Sequence, residues 1–173
     1  KKDRIAIIGD GSLAYVMANI INYTLPNCEI IVIGRYWEKL EFFSFAKERY
    51  ITDDIPADLS FDHGVECCGG DGSGYAINDI IKYIKPQGSL VLMGVSEYNV
   101  NINTRDVLEK GLTLLGSSRS GRVDFEKAVE MLSNKKFERR FKNIIYLETP
   151  VKNINDIHRV FATDLNTSFK TVF

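Results

Sequence analysis

Gly9, Gly11 and Ala14 stand in the spacing Gly-x-Gly-x-x-Ala, directly behind the apolar run 5–8. Glycines so placed let backbone N–H groups approach a phosphate, and a helix opening at the turn adds about half a unit of positive charge there. Gly9 suits the tight turn, Gly11 leaves room for a pyrophosphate, and Ala14 lets the helix lie close on the strand; the third position takes Gly or Ala. Gly9, Gly11, Ser12 and Leu13 are therefore the candidate phosphate contacts. A glycine turn that binds nothing is the plain alternative, and the strand before it and the helix after it speak against that.

A second test lies at the end of the next strand. A domain that binds NAD places Asp or Glu there, about 20 residues on, to hold the ribose hydroxyls. Here Gly34 and Arg35 occupy that place. A carboxylate would repel a 2′-phosphate. A glycine makes room for it, and an arginine presents a fork of donors. Lys39, one helical turn on, supplies a second cation. NADP is the cofactor these residues favour, against the reading of Arg35 and Lys39 as ordinary solvated charges.

Further candidates sit where strands end. Gly69, the run Gly94-Val95-Ser96 and Ser117 in "GSSRSGR" each follow an apolar run, and open α/β sheets bind ligands at the carboxyl ends of their strands. Each fits a plain loop equally well. Glu66, between Val65 and Cys67, reads either as a paired buried carboxylate or as a cofactor contact, and both stay open. Cys67 and Cys68 are read as core residues rather than nucleophiles, because no histidine is placed to activate a thiolate. His63 and His158 are read as surface residues, and "KKFERRFK" as a solvated basic face. No residue is assigned a catalytic or metal-ligating role.

The elements that must position these groups follow from periodicity. Buried-strand runs "RIAIIG", "EIIVIG", "ERYIT", "HGVECCGG", "SLVLMGV" and "LTLLGSS" alternate with helical stretches. The helical stretches are "SLAYVMANIINYTL", the short "WEKLEFFSF", "SGYAINDIIKYIK" ending at Pro86, "TRDVLEKG" with Thr104 as N-cap and Gly111 as C-cap, and "VDFEKAVEMLSN". Strands without polar alternation, separated by helices, form a parallel sheet covered on both faces. Six of them predict the α/β doubly wound Rossmann fold. Beyond about Asn134 the pattern weakens to one strand-like run, one helix and a closing extended run, "FKTVF".

Bulk composition narrows the class. The 173 residues are 45% hydrophobic with a formal net charge of -1, which gives no hint of nucleic-acid binding. No apolar run approaches the roughly 18 residues of a membrane span. No signal-peptide pattern is present, and the three cysteines read as free thiols of a reducing, cytoplasmic compartment.

On these residues a family resemblance stands out. "IAIIGDGSLAYVMANII", "FDHGVECCGG", "IIKYIKPQGSLVLMGVSEY" and "GLTLLGSSRSGRVDFEKAVEML" resemble the cofactor domain of medium-chain, alcohol-dehydrogenase-like reductases. "NINTRDVLEKGLTLLGSSRSGR" is similar to the branch of ribulose-5-phosphate reductases (ribitol-5-phosphate dehydrogenases) that supply ribitol phosphate for bacterial teichoic acids and capsules. The resemblance implies NADPH-dependent reduction of D-ribulose 5-phosphate to D-ribitol 5-phosphate. It implies a catalytic zinc too, held by a GroES-like domain outside this sequence, so that this chain alone is expected to be inactive. It divides the chain into a dinucleotide-binding domain, 1–148, and a C-terminal segment, 149–173, that returns to the absent domain with exposed apolar residues. It further implies that Lys170 reaches towards the cofactor pyrophosphate, and that a homodimer forms through a sheet edge.

Two other classes use a glycine turn. A non-catalytic nucleotide-sensing module and a methyltransferase both favour an acid at the end of the second strand, where this sequence has Gly34 and Arg35.

Overall fold

The computed structural model describes residues 2–147, 149–167 and 169–172. The chain divides into two compact units, 1–119 and 120–173. The first unit holds a six-stranded parallel sheet in the order β3-β2-β1-β4-β5-β6. Its strands are β1 (Arg4–Ile8), β2 (Glu29–Gly34), β3 (Glu48–Ile51), β4 (Phe61–Glu66), β5 (Ile84–Leu92) and β6 (Thr113–Gly116). Helices α1 (Ser12–Thr24), α2 (Trp37–Leu40), α3 (Ser73–Tyr83) and α4 (Thr104–Glu109) lie between them. This is the doubly wound order in which the chain starts at the centre, winds outward one way, then returns and winds outward the other way.

The burial pattern explains the layers. Side chains alternate across a strand, yet Ile5, Ala6, Ile7 and Ile8 are all buried, as are the residues 30–33 of β2. Both faces are therefore covered. On one face Ala6, Ile8, Ile31 and Ile33 join Ile77, Ile80 and Ile81 of α3 in a single apolar cluster. Gly64 of β4 brings α3 in close, since a Cβ there would stand 2.3 Å from Ile80 Cγ2. On α1 the buried stripe is Ala14, Tyr15, Ala18 and Ile21. Tyr15 meets Phe43 edge-on at 5.3 Å between ring centroids.

Three local expectations need correction. First, α3 stops at Tyr83 rather than at Pro86, and β5 already begins at Ile84. Phe61 pairs with Ile84, the register then shifts so that His63 pairs with Ser89, and Pro86 occupies the irregular stretch where no ladder donor is needed. Lys110 explains the early stop. Its ammonium donates to the carbonyl oxygens of Ile81 and Lys82 at 2.7 Å each and of Ile84 at 3.1 Å. It thereby satisfies the carbonyls that a helix end leaves unpaired. Second, the N-cap of α4 is Asn103, whose side chain accepts from the Asp106 amide at 3.1 Å, and its C-cap is Lys110, with Gly111 one residue beyond at φ +60°. Third, His63 is a half-buried residue of β4, whereas His158 is exposed.

The second unit contains α5 (Arg122–Leu132), α6 (Lys135–Lys142), β7 (Ile145–Leu147), α7 (Ile154–Asn166) and β8 (Lys170–Val172). Strands β7 and β8 pair in parallel. Helix α6 is an element that periodicity missed. The basic run folds because Asn134 caps it, accepting from Lys136 and Phe137, and because Phe137 is buried against Phe141 at 4.7 Å. Lys135, Lys136, Arg139 and Lys142 remain exposed. Along the chain the division between the units falls between Arg119 and Ser120.

Candidate functional site

The carboxyl ends of β1, β2, β4 and β5 converge on one rim of the sheet, and β1 and β4 are the neighbours where the winding direction reverses. At the end of β1 the Gly9 amide donates to the Ile33 carbonyl at 2.8 Å, which ties the turn to β2. Gly9 adopts φ +137°, and a Cβ on it would stand 3.0 Å from the Cys67 backbone. No residue but glycine fits there. Gly11 is different: nothing lies within 4 Å of where its Cβ would be. It is the N-cap of α1, with no side chain capping it and no acid in the first turn. The first amides of α1, from Ser12 and Leu13 onward, thus carry the helix's positive end next to open space. An anion is the complementary ligand.

The rim beyond β2 carries the cations. Arg35 is exposed and Lys39 half-buried. Both approach the ring of Tyr36, the Arg35 guanidinium carbon at 5.6 Å and Lys39 Nζ at 5.1 Å from its centroid. One aromatic ring therefore holds two cations on the same short segment.

Gly34 departs from its expected role. The space over it is filled: a Cβ would stand 2.7 Å from Asp10 Cβ and 3.0 Å from Leu40 Cδ2. The glycine makes room for Asp10, the residue between the two turn glycines, and not for a ligand. A carboxylate thus does stand at the end of β2, contributed by the first turn instead of the second strand. Asp10 Oδ2 accepts from the amides of Arg35 at 2.7 Å and Tyr36 at 2.9 Å.

On the other side of the switch point, Glu66 ends β4 with no exposed surface. Among the described residues its carboxylate partners are backbone amides. Oε1 accepts from Cys68 and Gly69 at 2.9 Å each, and Oε2 from Gly94 at 2.8 Å. Gly69 and Gly94 are packed so closely that a Cβ on Gly94 would stand 2.3 Å from the Gly69 nitrogen. Around them the Gly70 amide donates to the Val95 carbonyl at 2.8 Å, and Ser96 Oγ to the Gly70 carbonyl at 3.2 Å. Gly69, Gly94, Val95 and Ser96 therefore form one joined pair of loops. Ser117 follows β6, its amide donating to the Leu92 carbonyl at 3.1 Å. Lys170 lies in the second unit as the first residue of β8.

The thiols are chemically quiet. Burial pushes the Cys67 and Cys68 thiols up to about 12, and the Glu66 charge adds to the shift. Cys68 has exposed surface, but its Sγ donates to the Ile8 carbonyl at 3.4 Å. Among the described residues no group of three His, Cys, Asp or Glu is assembled that would hold a metal ion. The described residues thus do not fit a zinc site. No helix of the described residues is long and apolar enough to cross a membrane.

A glycine turn at a helix N-terminus, at the switch point of a 3-2-1-4-5-6 sheet, defines a dinucleotide-binding domain of the Rossmann type. Residues 53–134 match the family model of zinc-binding dehydrogenases. The chain is similar to these dehydrogenases and, among them, to ribulose-5-phosphate reductases. It is 73% identical over 173 residues to the ribulose-5-phosphate reductase of Streptococcus pneumoniae, covering 100% of this chain and 50% of that protein. To the ribulose-5-phosphate reductase of Bacillus spizizenii it is 42% identical over 180 residues, or 99% of this chain and 51% of that protein. Its fold matches the crystal structure of Staphylococcus aureus TarJ in complex with NADPH with a TM-score of 0.93 at 42% identity, covering 99% of this chain and 56% of that one. The chain spans about half the length of the relatives it matches.

Proposed function

We propose that this chain is the NADPH-binding part of an enzyme that reduces D-ribulose 5-phosphate to D-ribitol 5-phosphate. The observation that carries the cofactor is the Arg35–Tyr36–Lys39 cluster at the end of β2, two cations beside the place of the adenosine ribose. The similar TarJ, solved with NADPH, supports the same cofactor, and the relatives' names support the substrate.

In this reading the amides of Gly11, Ser12 and Leu13 bind the pyrophosphate and Arg35 and Lys39 the 2′-phosphate. The loops of Gly69, Gly94, Val95, Ser96 and Ser117 flank the nicotinamide half. Bound NADPH supplies a hydride to the ketone carbon, a proton completes the alcohol, and NADP⁺ leaves. Proton delivery and any zinc belong to parts of the protein outside this sequence. The product feeds teichoic-acid or capsule synthesis in the cytoplasm, where NADPH is available. The edge strand β6, which among the described residues pairs only with β5 and bears the half-exposed Leu115, offers a surface for a homodimer.

Calorimetric titration of the chain with NADPH and NADH tests the reading. NADPH binds more tightly, and Arg35→Ala lowers the preference about tenfold, because an arginine–phosphate contact contributes ~1.5–3 kcal/mol. Equal affinities for the two cofactors in the unmutated chain refute it. Tighter binding of S-adenosylmethionine than of either would point to a methyltransferase.

A further inference from the structure

The geometry points to Asp10 as the positioning residue for cofactor discrimination: its carboxylate holds the Arg35–Tyr36 segment where Arg35 and Lys39 meet the 2′-phosphate. The inference rests on the NADPH reading above and deepens it.

Asp10 belongs to the pyrophosphate turn, yet its side chain acts on the next strand. Oδ2 accepts from two consecutive amides, those of Arg35 and Tyr36, 25 and 26 residues further along the chain. These are the last amides before α2, which opens at Trp37 with Tyr36 as its N-cap and no side chain capping it. Without Asp10 both amides would turn to solvent, and the segment would lose its tie to the glycine turn. The packing is specific to this arrangement, since the missing Cβ of Gly34 is the volume that Asp10 Cβ and Oδ2 occupy. One ring, Tyr36, then carries both cations, so fixing the Tyr36 backbone fixes the two charges together.

A carboxylate beside a 2′-phosphate looks unfavourable in isolation. Here its negative charge is shared between two amide donors and offset by two cations on the segment it holds. The net charge of Asp10, Arg35 and Lys39 together is positive. The same carboxylate would serve NADH only by accepting from a ribose hydroxyl. The two roles predict opposite signs for its removal.

The test compares Asp10→Ala and Asp10→Asn with the unmutated chain, using NADPH, NADH and 2′,5′-ADP as titrants. Asp10→Ala is expected to weaken NADPH and 2′,5′-ADP about tenfold and NADH by less than about threefold. Asp10→Asn keeps an acceptor oxygen for the amides and is expected to restore most of the preference. Gly34→Ala, which pushes the intact Asp10 away from its place, is expected to lower the preference like Asp10→Ala. Circular dichroism identifies any variant that fails to fold, and the other two then decide. Tighter NADPH binding in Asp10→Ala or Asp10→Asn overturns the proposal, because the carboxylate would then be repelling the phosphate. Equal weakening of NADPH and NADH also overturns it, leaving Asp10 as support for the turn alone. A preference for NADPH that survives unchanged in Asp10→Ala overturns this proposal but not the cofactor reading. Lack of any preference in the unmutated chain refutes both.

Discussion

Replacing Glu66 by Gln probes whether one carboxylate joins the two loops that follow β4 and β5. In the native chain it meets three amides, Cys68 and Gly69 through Oε1 and Gly94 through Oε2. Glutamine has one acceptor oxygen. If that oxygen keeps Cys68 and Gly69, the side-chain NH₂ faces the Gly94 amide, donor against donor. If it turns round, two amides lose their acceptor instead of one. A hydrogen bond to a charged group contributes ~1.5–3 kcal/mol against ~0.5–1.5 kcal/mol for a neutral one. Losing one bond and weakening two others adds up to roughly 3.5–6 kcal/mol. The site has no exposed surface, so solvent does not dilute this figure. At ~2–4 °C per kcal/mol for a chain of this size, the thermal midpoint should fall by roughly 7–24 °C. Thermal and urea unfolding followed by circular dichroism measure the loss. Titration with NADPH and 2′,5′-ADP adds a second readout: NADPH should weaken and 2′,5′-ADP should not, since the proposed reading sets these loops beside the nicotinamide half alone. A stability change within about 0.5 kcal/mol, the ordinary range for a substitution that removes nothing, would refute the reasoning. So would equal weakening of the two ligands.

Three other outcomes follow from the same geometry. Gly64→Ala should destabilise the fold by ~1–3 kcal/mol through overpacking against Ile80, whereas Gly11→Ala, which meets nothing, should leave urea stability nearly unchanged and weaken NADPH; the reverse pattern would misplace the open face. Lys110→Met should cost ~1–2 kcal/mol by freeing the carbonyls at the end of α3, with the NADPH dissociation constant unchanged. Folding raises the Cys67 and Cys68 thiols from 9.0 to about 12, so the unfolded chain releases those protons first. Their contribution to stability is full below about pH 9 and is lost as the pH rises towards 12. Urea titrations between pH 8 and 11 should therefore fall less steeply for the double variant Cys67→Ala, Cys68→Ala, and equal slopes would dismiss the thiols as the cause.

The sequence by itself determined the parts of this protein that depend on neighbours along the chain. The glycine spacing behind an apolar run marks the tight turn from β1 into α1, because backbone geometry at Gly9 and the helix start at Ser12 are local properties. Continuous apolar strands between helices determine a parallel sheet covered on both faces, since alternation would be needed if one face were wet. Arg35 and Lys39 are visible as cations at the end of the second strand for the same reason. Only the tertiary structure decided what depends on strands lying side by side. Asp10 reads as a filler between two glycines until β1 and β2 are paired and its carboxylate reaches Arg35 and Tyr36. Gly34 then changes from room for a ligand into room for that carboxylate. Glu66 becomes a clasp only when β4 and β5 are neighbours and Gly94 comes within hydrogen-bond distance. Helix α3 ends at Tyr83, ahead of the proline that would stop it locally, because Lys110 arrives from beyond α4 to take its last carbonyls. Helix α6 forms on a run with almost no apolar period, because Asn134 caps it and Phe137 finds a buried place beside Phe141. In each case a polar or aromatic group finds its partner across space, and a pairing of that kind leaves no period in the sequence.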